Sequence, residues 1–261
     1  MKFALVIEYD GTDFSGWQRQ SHVLTVQEVV ERAISRVADQ QVGVVCAGRT
    51  DTGVHALAQV VHFETNVQRE LRSWLLGINA NLPPSVVVKN VIPVADDFHA
   101  RFSAQARTYR YLIINQPVRP ALLANRATWE RIQLDVECMH QAGQCLVGEH
   151  DFSSYRALAC QAHSPVRQIH HLRVEREGDL VALEVKANGF LHHMVRNLAG
   201  VLMSIGRHEH PVDWSKQVLE QKNRACAGIT APAQGLYFMA VDYAPKYQIR
   251  QSGVLQDDHQ S

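Results

Sequence analysis

The chain has 261 residues, 46% of them hydrophobic, enough for one large domain or two of about 130 without covalent staples. Its 26 basic and 26 acidic residues cancel, and no apolar stretch approaches the roughly 20 residues that span a bilayer. Five scattered cysteines without a Cys-x-x-Cys pair argue against a disulfide framework or a structural zinc and for a reducing, cytoplasmic setting.

Residues 2–9 alternate as a strand and lack the charged, apolar and cleavage regions of a signal peptide. Residues 10–23 read as a polar, Gly-bearing loop in which Asp10 and Asp13 suit turns and Trp17 suits packing the loop ahead of contacting RNA. Thr25 and Glu28 have capping-box spacing, and Val26, Val29, Val30, Ala33, Ile34 and Val37 line one helix face. A short apolar run (Val42, Val44, Val45, Cys46) then enters the turn AGRTDTGVHA, residues 47–56, and an alternating strand leaves it. A second helix fits about 68–79, and a β-branched strand fits 86–94.

The second half repeats this rhythm. A strand covers 105–115, a helix about 135–146, and two strands at 167–176 and 179–187 join through a Glu-Gly-Asp hairpin. A helix runs from about 192 to 206, a short one lies near 213–222, and a strand at 236–243 follows. These spans predict an α+β protein of two βαββαβ-like halves, residues 1–103 and 104–245, with a long mixed or antiparallel sheet. Residues 246–261 are polar and unpatterned and read as a disordered tail.

Asp51 is the candidate reactive group. It sits in a Gly-flanked turn, with Arg49 two residues before it and His55 four after. A nearby guanidinium favours the charged carboxylate, and an ionised, positioned Asp serves as nucleophile or base. Net neutrality hides an uneven charge distribution. Residues 98–129 carry Arg101, Arg107, Arg110, Arg119 and Arg126 with no acid, and 152–174 and 185–208 are also acid-free. Arg offers a planar fork that matches phosphate oxygens, so these segments can line a basic nucleic-acid cleft. The plainer reading is that they snorkel or cap; Arg101, Arg167 and Arg207 are as well suited to structural carboxylates as to phosphate.

Asp51-Thr52-Gly53 is also the tripeptide of aspartic proteases. The single copy and the neighbouring Arg49 oppose the proton sharing that such chemistry needs. A non-catalytic RNA-binding protein fits the Arg segments but gives no reason for the acidic turn. The pairs His170-His171 and His192-His193 and the run His208-Glu209-His210 lack the i, i+4 spacing of a helical zinc site, and His192 and His193 fall on different faces of the expected helix; no metal is expected. His55 and His99 suit loop bracing, and Cys46 suits a small core position.

Eight segments in order resemble the tRNA pseudouridine synthase A family: EYDGTDFSGWQRQ (8–20), AGRTDTGVHALAQVVHF (47–63), LP (82–83), FHARFSAQARTYRY (98–111), GEHDFSSYR (148–156), SPVRQI (164–169), ANGFLHHMVRN (187–197) and TAPAQGLYF (230–238). The resemblance implies a pseudouridine synthase fold with a continuous sheet, flanking helices and a central basic cleft. It implies an isomerase acting at uridines 38, 39 and 40 of the tRNA anticodon stem-loop, without a cofactor, as a cytoplasmic homodimer. It implies roles residue by residue: Asp51 as nucleophile, Tyr109 stacking on the target base, Arg196 pairing with the carboxylate, and Arg49 displacing the target nucleotide. Arg107 and Arg110, flanking Tyr109, are then placed for phosphates, and Arg101 and His55 join the substrate-binding set.

Overall fold

In the computed structural model, which describes residues 1–157, 160, 162–249 and 251, the elements run β1 (Lys2–Tyr9), α1 (Val26–Ala38), β2 (Val45–Cys46), β3 (His55–Glu64), α2 (Leu71–Ala80), β4 (Val86–Val94), β5 (Ala104–Asn115), β6 (Thr128–Glu130), α3 (Val136–Gln144), β7 (Gly148–Asp151), β8 (Val166–Glu177), β9 (Leu180–Ala187), α4 (Met194–Gly206), α5 (Trp214–Gln221) and β10 (Leu236–Tyr243). They form two compact units. One is residues 1–105 with the chain from Phe238 onward; the other is 106–237. The expected division at 103/104 falls where β5 begins. The closing strand, however, clusters with the first unit, because β10 pairs with β3.

In the first unit β1 is central. It runs antiparallel to β3 (Leu5↔Val61) and to β4 (Leu5↔Val91). The other edge of β3 carries β2 and β10, so the first four strands stand in the order β4-β1-β3-β2, the ferredoxin-like arrangement of a βαββαβ unit. Ala4, Leu5, Val6 and Ile7 are all fully buried, so β1 is covered on both faces. The Thr25 hydroxyl accepts the Glu28 N–H (3.4 Å), which satisfies one of the orphan donors at the start of α1. No side chain caps α2, which begins at Leu71 rather than near 68. It is held instead by packing: Trp74 meets Phe63 edge-on at 5.5 Å and Phe3 at 5.8 Å.

In the second unit β5, β9, β8 and β7 lie side by side and antiparallel, with β6 parallel to β5 (Ile113↔Thr128). β6 and β7, three and four residues long, are too short to show a period in the sequence. Every residue of α4 except Arg196 is buried, as expected of a helix apolar all round. That helix begins at Met194, later than the sequence suggests. His193 precedes it in a left-handed conformation (φ 61°), and its ring lies 4.0 Å from that of His192. The two histidines are therefore neighbours before the helix, not occupants of different helix faces.

The expected tail needs correction at its start. Pro245–Tyr247 form a 3-10 turn, Lys246 pairs with Asp97 (2.6 Å), and Tyr247 packs edge-on against Phe98 at 5.1 Å. An aromatic ring and an ion pair anchor this stretch although it has no periodicity. Residues 250 and 252–261 lie outside the described residues.

His62, buried in β3, has a pKa lowered to about 4, first by burial, then by His99 and Lys2. Its Nδ1 accepts the Ala100 N–H (3.1 Å), a bond that protonation at this nitrogen breaks. The unfolded chain binds this proton near pH 6.5 and the folded chain only near pH 4, so stability should be lost as pH falls through that window. Urea midpoints measured from pH 7 to pH 4 should drop. His62→Asn, which keeps an acceptor but does not titrate, should flatten that part of the profile.

Candidate active site

The Asp51 turn is built by its own backbone and then locked from two sides. The Val54 N–H donates to the Asp51 carbonyl (3.1 Å), closing a four-residue turn. Its third position, Gly53, has φ 78°, the left-handed value that a type II turn demands there. Asp51 is half-buried, while Arg49 and Thr52 are exposed and Thr50 and Val54 are buried. Thr50 and Val54 thus hold the turn down on either side of the half-buried carboxylate.

The first lock is the loop after β1. Gly16 has φ 81°, and a Cβ there would stand 2.7 Å from the Thr50 carbonyl oxygen and 3.1 Å from the Asp51 carbonyl carbon. The adjacent Trp17 N–H donates to that Thr50 carbonyl (3.0 Å), and the indole is buried, in line with a packing role. Gly11 lies as closely against the Val54 backbone, and its N–H donates to His55 Nδ1 (3.0 Å). His55 is 2% exposed, so its imidazole braces this loop. Asp10 accepts the Thr12 N–H (3.0 Å), the expected Asx turn.

The second lock comes from the strands. The Tyr9 hydroxyl and the Thr50 hydroxyl share a hydrogen bond of 2.7 Å. Gln59 donates to the Gly48 carbonyl (2.6 Å) and accepts the Gly48 N–H (3.4 Å). Burial pushes the Tyr9 phenol well above its ordinary pKa, so it stays a neutral hydrogen-bonding partner. Cys46, just upstream, has a thiol pKa raised by burial to about 11 and feels the positive fields of both Arg49 and Arg101. It is an inert packing residue.

Tyr109, Arg107, Arg110 and Arg196 belong to the second unit. Tyr109 is 8% exposed, and its ring meets Phe190 edge-to-face at 5.0 Å. Arg107 donates to the Asn188 carbonyl (3.0 Å). Arg107 and Tyr109 share one face of β5, and Arg110 projects from the other. Arg110 grips Glu184 with two nitrogens (2.6 and 3.1 Å), and His171 lies on the other Glu184 oxygen. His171 and Arg110 together hold the Glu184 pKa down at about 2. Arg110 thus belongs to an ion-pair network on the face opposite the Tyr109 ring. The sequence flanks the tyrosine with two arginines; the pleat separates them.

Arg196 leaves the core at the first turn of α4. Its Nε donates to the Ala231 carbonyl (2.8 Å), and the Ala231 N–H donates back to the Arg196 carbonyl (3.1 Å). Thr230 donates to Asn197 (2.7 Å), and the Tyr111 hydroxyl donates to the Pro232 carbonyl (2.8 Å). The 230–232 stretch therefore fixes the guanidinium through backbone. Arg207 settles differently: it pairs with Glu130 (2.9 Å) and Glu209 (2.8 Å), structural carboxylates. Asp135, Cys138 and His208 place ligand-type atoms within 4.8 Å of one another, a grouping that linear spacing could not reveal. Asp135 there caps α3 by accepting the Cys138 N–H (3.0 Å), and the positive end of that helix opposes a cation. Gly16, Tyr9, Gln59 and Phe190 were not singled out by sequence reasoning. For Gly16 the available signal was a glycine in a polar loop ahead of a buried tryptophan.

A family described as "tRNA pseudouridine synthase" matches residues 5–103 and 142–244. The chain is 52% identical over 252 residues to a "tRNA pseudouridine synthase A" from Colwellia psychrerythraea (strain 34H / ATCC BAA-681), covering 97% of each. It is 50% identical over 252 residues to one from Legionella pneumophila (strain Lens), covering 97% of this chain and 96% of that one. It is 52% identical over 248 residues to one from Escherichia coli (strain SMS-3-5 / SECEC), covering 95% and 92%.

The fit at Gly16 makes a direct prediction. Gly16→Ala forces a side chain into left-handed backbone and against the Thr50 carbonyl. It should cost about 1–3 kcal/mol in chemical denaturation, whereas Gly178→Ala, also at positive φ (58°) but in open space, should cost less.

Proposed function

Because this chain belongs to the tRNA pseudouridine synthase family, and so isomerises uridine to pseudouridine in tRNA, we propose that Asp51 is the nucleophile of that reaction. We assign its targets to positions 38, 39 and 40 of the anticodon stem-loop. The reaction breaks the bond between N1 and C1′, turns the uracil, and joins C5 to C1′; C5 loses its hydrogen and N1 gains one. Nothing is oxidised or reduced overall, so the proposal includes no cofactor. A carboxylate acts here by attacking C1′ or by taking a proton from the sugar, and either role needs an ionised oxygen held still.

The observation that carries this reading is the braced turn: a half-buried Asp51 whose neighbours on both sides are pinned by buried hydrogen bonds. Arg49, exposed two residues away, is assigned to fill the space left by the extruded nucleotide. Extrusion costs a few kcal/mol, and stacking on an aromatic ring returns roughly 1–3 kcal/mol, the role given to Tyr109. Its hydroxyl is assigned a part in removing the C5 hydrogen. Arg196 is assigned to pair with the catalytic carboxylate, and the Ala231 clamp explains how its fork stays oriented. Arg107 and Arg101 are assigned to phosphates. His55 is a positioning residue, since burial and its Gly11 bond occupy it within the loop. Arg110, anchored on Glu184, is assigned to phosphate on its own face of β5.

The protein is further proposed to be a homodimer that grips one tRNA, and to work in the cytoplasm. Its described cysteines are all unpaired, which suits a reducing compartment. No helix among the described residues is long and apolar enough to cross a membrane.

Release of the C5 hydrogen from uridine-labelled, unmodified tRNA should proceed without added metal or nucleotide. Asp51→Asn should abolish release while leaving tRNA affinity within a few-fold of the unchanged protein. Release that persists in Asp51→Asn would rule out the assignment. Wild-type affinity should fall with salt at a log–log slope of roughly 0.7–0.9 per phosphate neutralised, and a flat response would remove the arginine contacts.

A further inference from the structure

The first unit carries an aromatic platform of its own. Phe102 is 76% exposed, yet the loop that carries it is held firmly. His99 Nδ1 accepts the N–H groups of both Arg101 and Phe102 (3.2 Å each). The His99 N–H donates to the Ser103 hydroxyl (3.0 Å), and the Ser103 N–H returns a bond to the His99 carbonyl (2.9 Å). Ala100 is tied at both ends, its N–H to His62 and its carbonyl to the Tyr243 hydroxyl (2.7 Å). The Phe102 ring stacks on His99 at 4.3 Å with an interplanar angle of 28°, and His99 leans in turn on His62 at 4.8 Å. The Arg101 guanidinium lies 5.6 Å from the Phe102 centroid.

A phenylalanine so exposed does little for the fold, so its rigid display calls for an occupant. The surroundings select one. Arg101 adjoins the ring, and no acid lies between residues 98 and 129. The platform's support also adjoins the strand that leads into the Asp51 turn: His62 pairs in register with Val45 of β2, and Cys46 next to it feels both Arg49 and Arg101. Burial and the nearby cations lower the pKa values of His62 and His99, so neutral rings back the platform near pH 7.

We propose that Phe102 stacks on an unpaired base of the tRNA other than the one being isomerised, while Arg101 takes the adjoining phosphate. This rests on tRNA being the substrate. It adds a contact that anchors the RNA rather than one that touches the reacting atoms.

The experiment is steady-state kinetics and equilibrium binding with unmodified tRNA for Phe102→Ala, Phe102→Leu and Phe102→Trp, with sedimentation of each protein. Losing a base stack of roughly 1–3 kcal/mol corresponds to about a 5- to 150-fold weaker Kd. Phe102→Ala should show that rise in Kd and KM, with kcat at saturating tRNA unchanged. Phe102→Trp should bind as well as the unchanged protein, and Phe102→Leu should bind weakly. Phe102→Ala should leave the salt slope as it was, whereas Arg101→Gln should lower it by about one phosphate. Unchanged Kd in Phe102→Ala overturns the proposal. So does full binding by Phe102→Leu, which would mark a merely apolar contact. A lower sedimenting mass for Phe102→Ala overturns it as well, because the ring would then face a second copy of the chain. Turnover by the unchanged protein, read in the same assay, tests the synthase assignment separately.

Discussion

One backbone contact governs the rest: a glycine at position 16 lies flat against the peptides of Thr50 and Asp51. Only a residue without a Cβ permits that approach, and only a left-handed one directs the next N–H, that of Trp17, onto the Thr50 carbonyl. From this contact follow the buried Thr50 and its hydrogen bond to Tyr9 deep in the β1–β3 pair. Buried, neutral groups thus hold the turn that carries the carboxylate. Such placement suits electrostatic and nucleophilic work, because little reorganisation is needed when a substrate arrives.

The second unit solves the same problem with other means. Arg196 is the one residue of α4 outside the core, and a neighbouring strand of backbone, around Ala231, receives its Nε. Tyr109 is fixed by strand pleat and by the edge of Phe190. In each unit the side chains assigned to the reaction emerge from a largely apolar interior. The flexible tether that would blur their positions is replaced by main-chain hydrogen bonds.

Much of this was legible in the residues. The Thr25 cap, the apolar face of α1, the β8–β9 hairpin and the Gly-flanked turn around Asp51 are local signals, and the structure has each of them. The order of elements within the first unit followed from periodicity alone. What escaped is non-local. Nothing near Arg110 in the sequence announces Glu184, 74 positions away, as its partner. The left-handed His193 that delays α4, the turn at Pro245–Tyr247 and the membership of β10 in the first unit depend on contacts between distant segments. The fit of Gly16 is the clearest case: the glycine is visible, but the backbone it accommodates lies more than thirty residues on. The family resemblance assigned roles where local chemistry stopped, and it could not say which face of β5 each arginine would take.

With Asp51 as the proposed nucleophile, the brace around its turn should set the rate of the chemical step. Single-turnover C5-hydrogen release by Tyr9→Phe, at saturating enzyme, tests it most directly, since that change removes one oxygen from the brace and touches neither carboxylate nor RNA. A displacement of the carboxylate should slow the step by about 10- to 100-fold, with tRNA affinity unchanged. Release at the unchanged rate by a folded Tyr9→Phe protein would contradict the account.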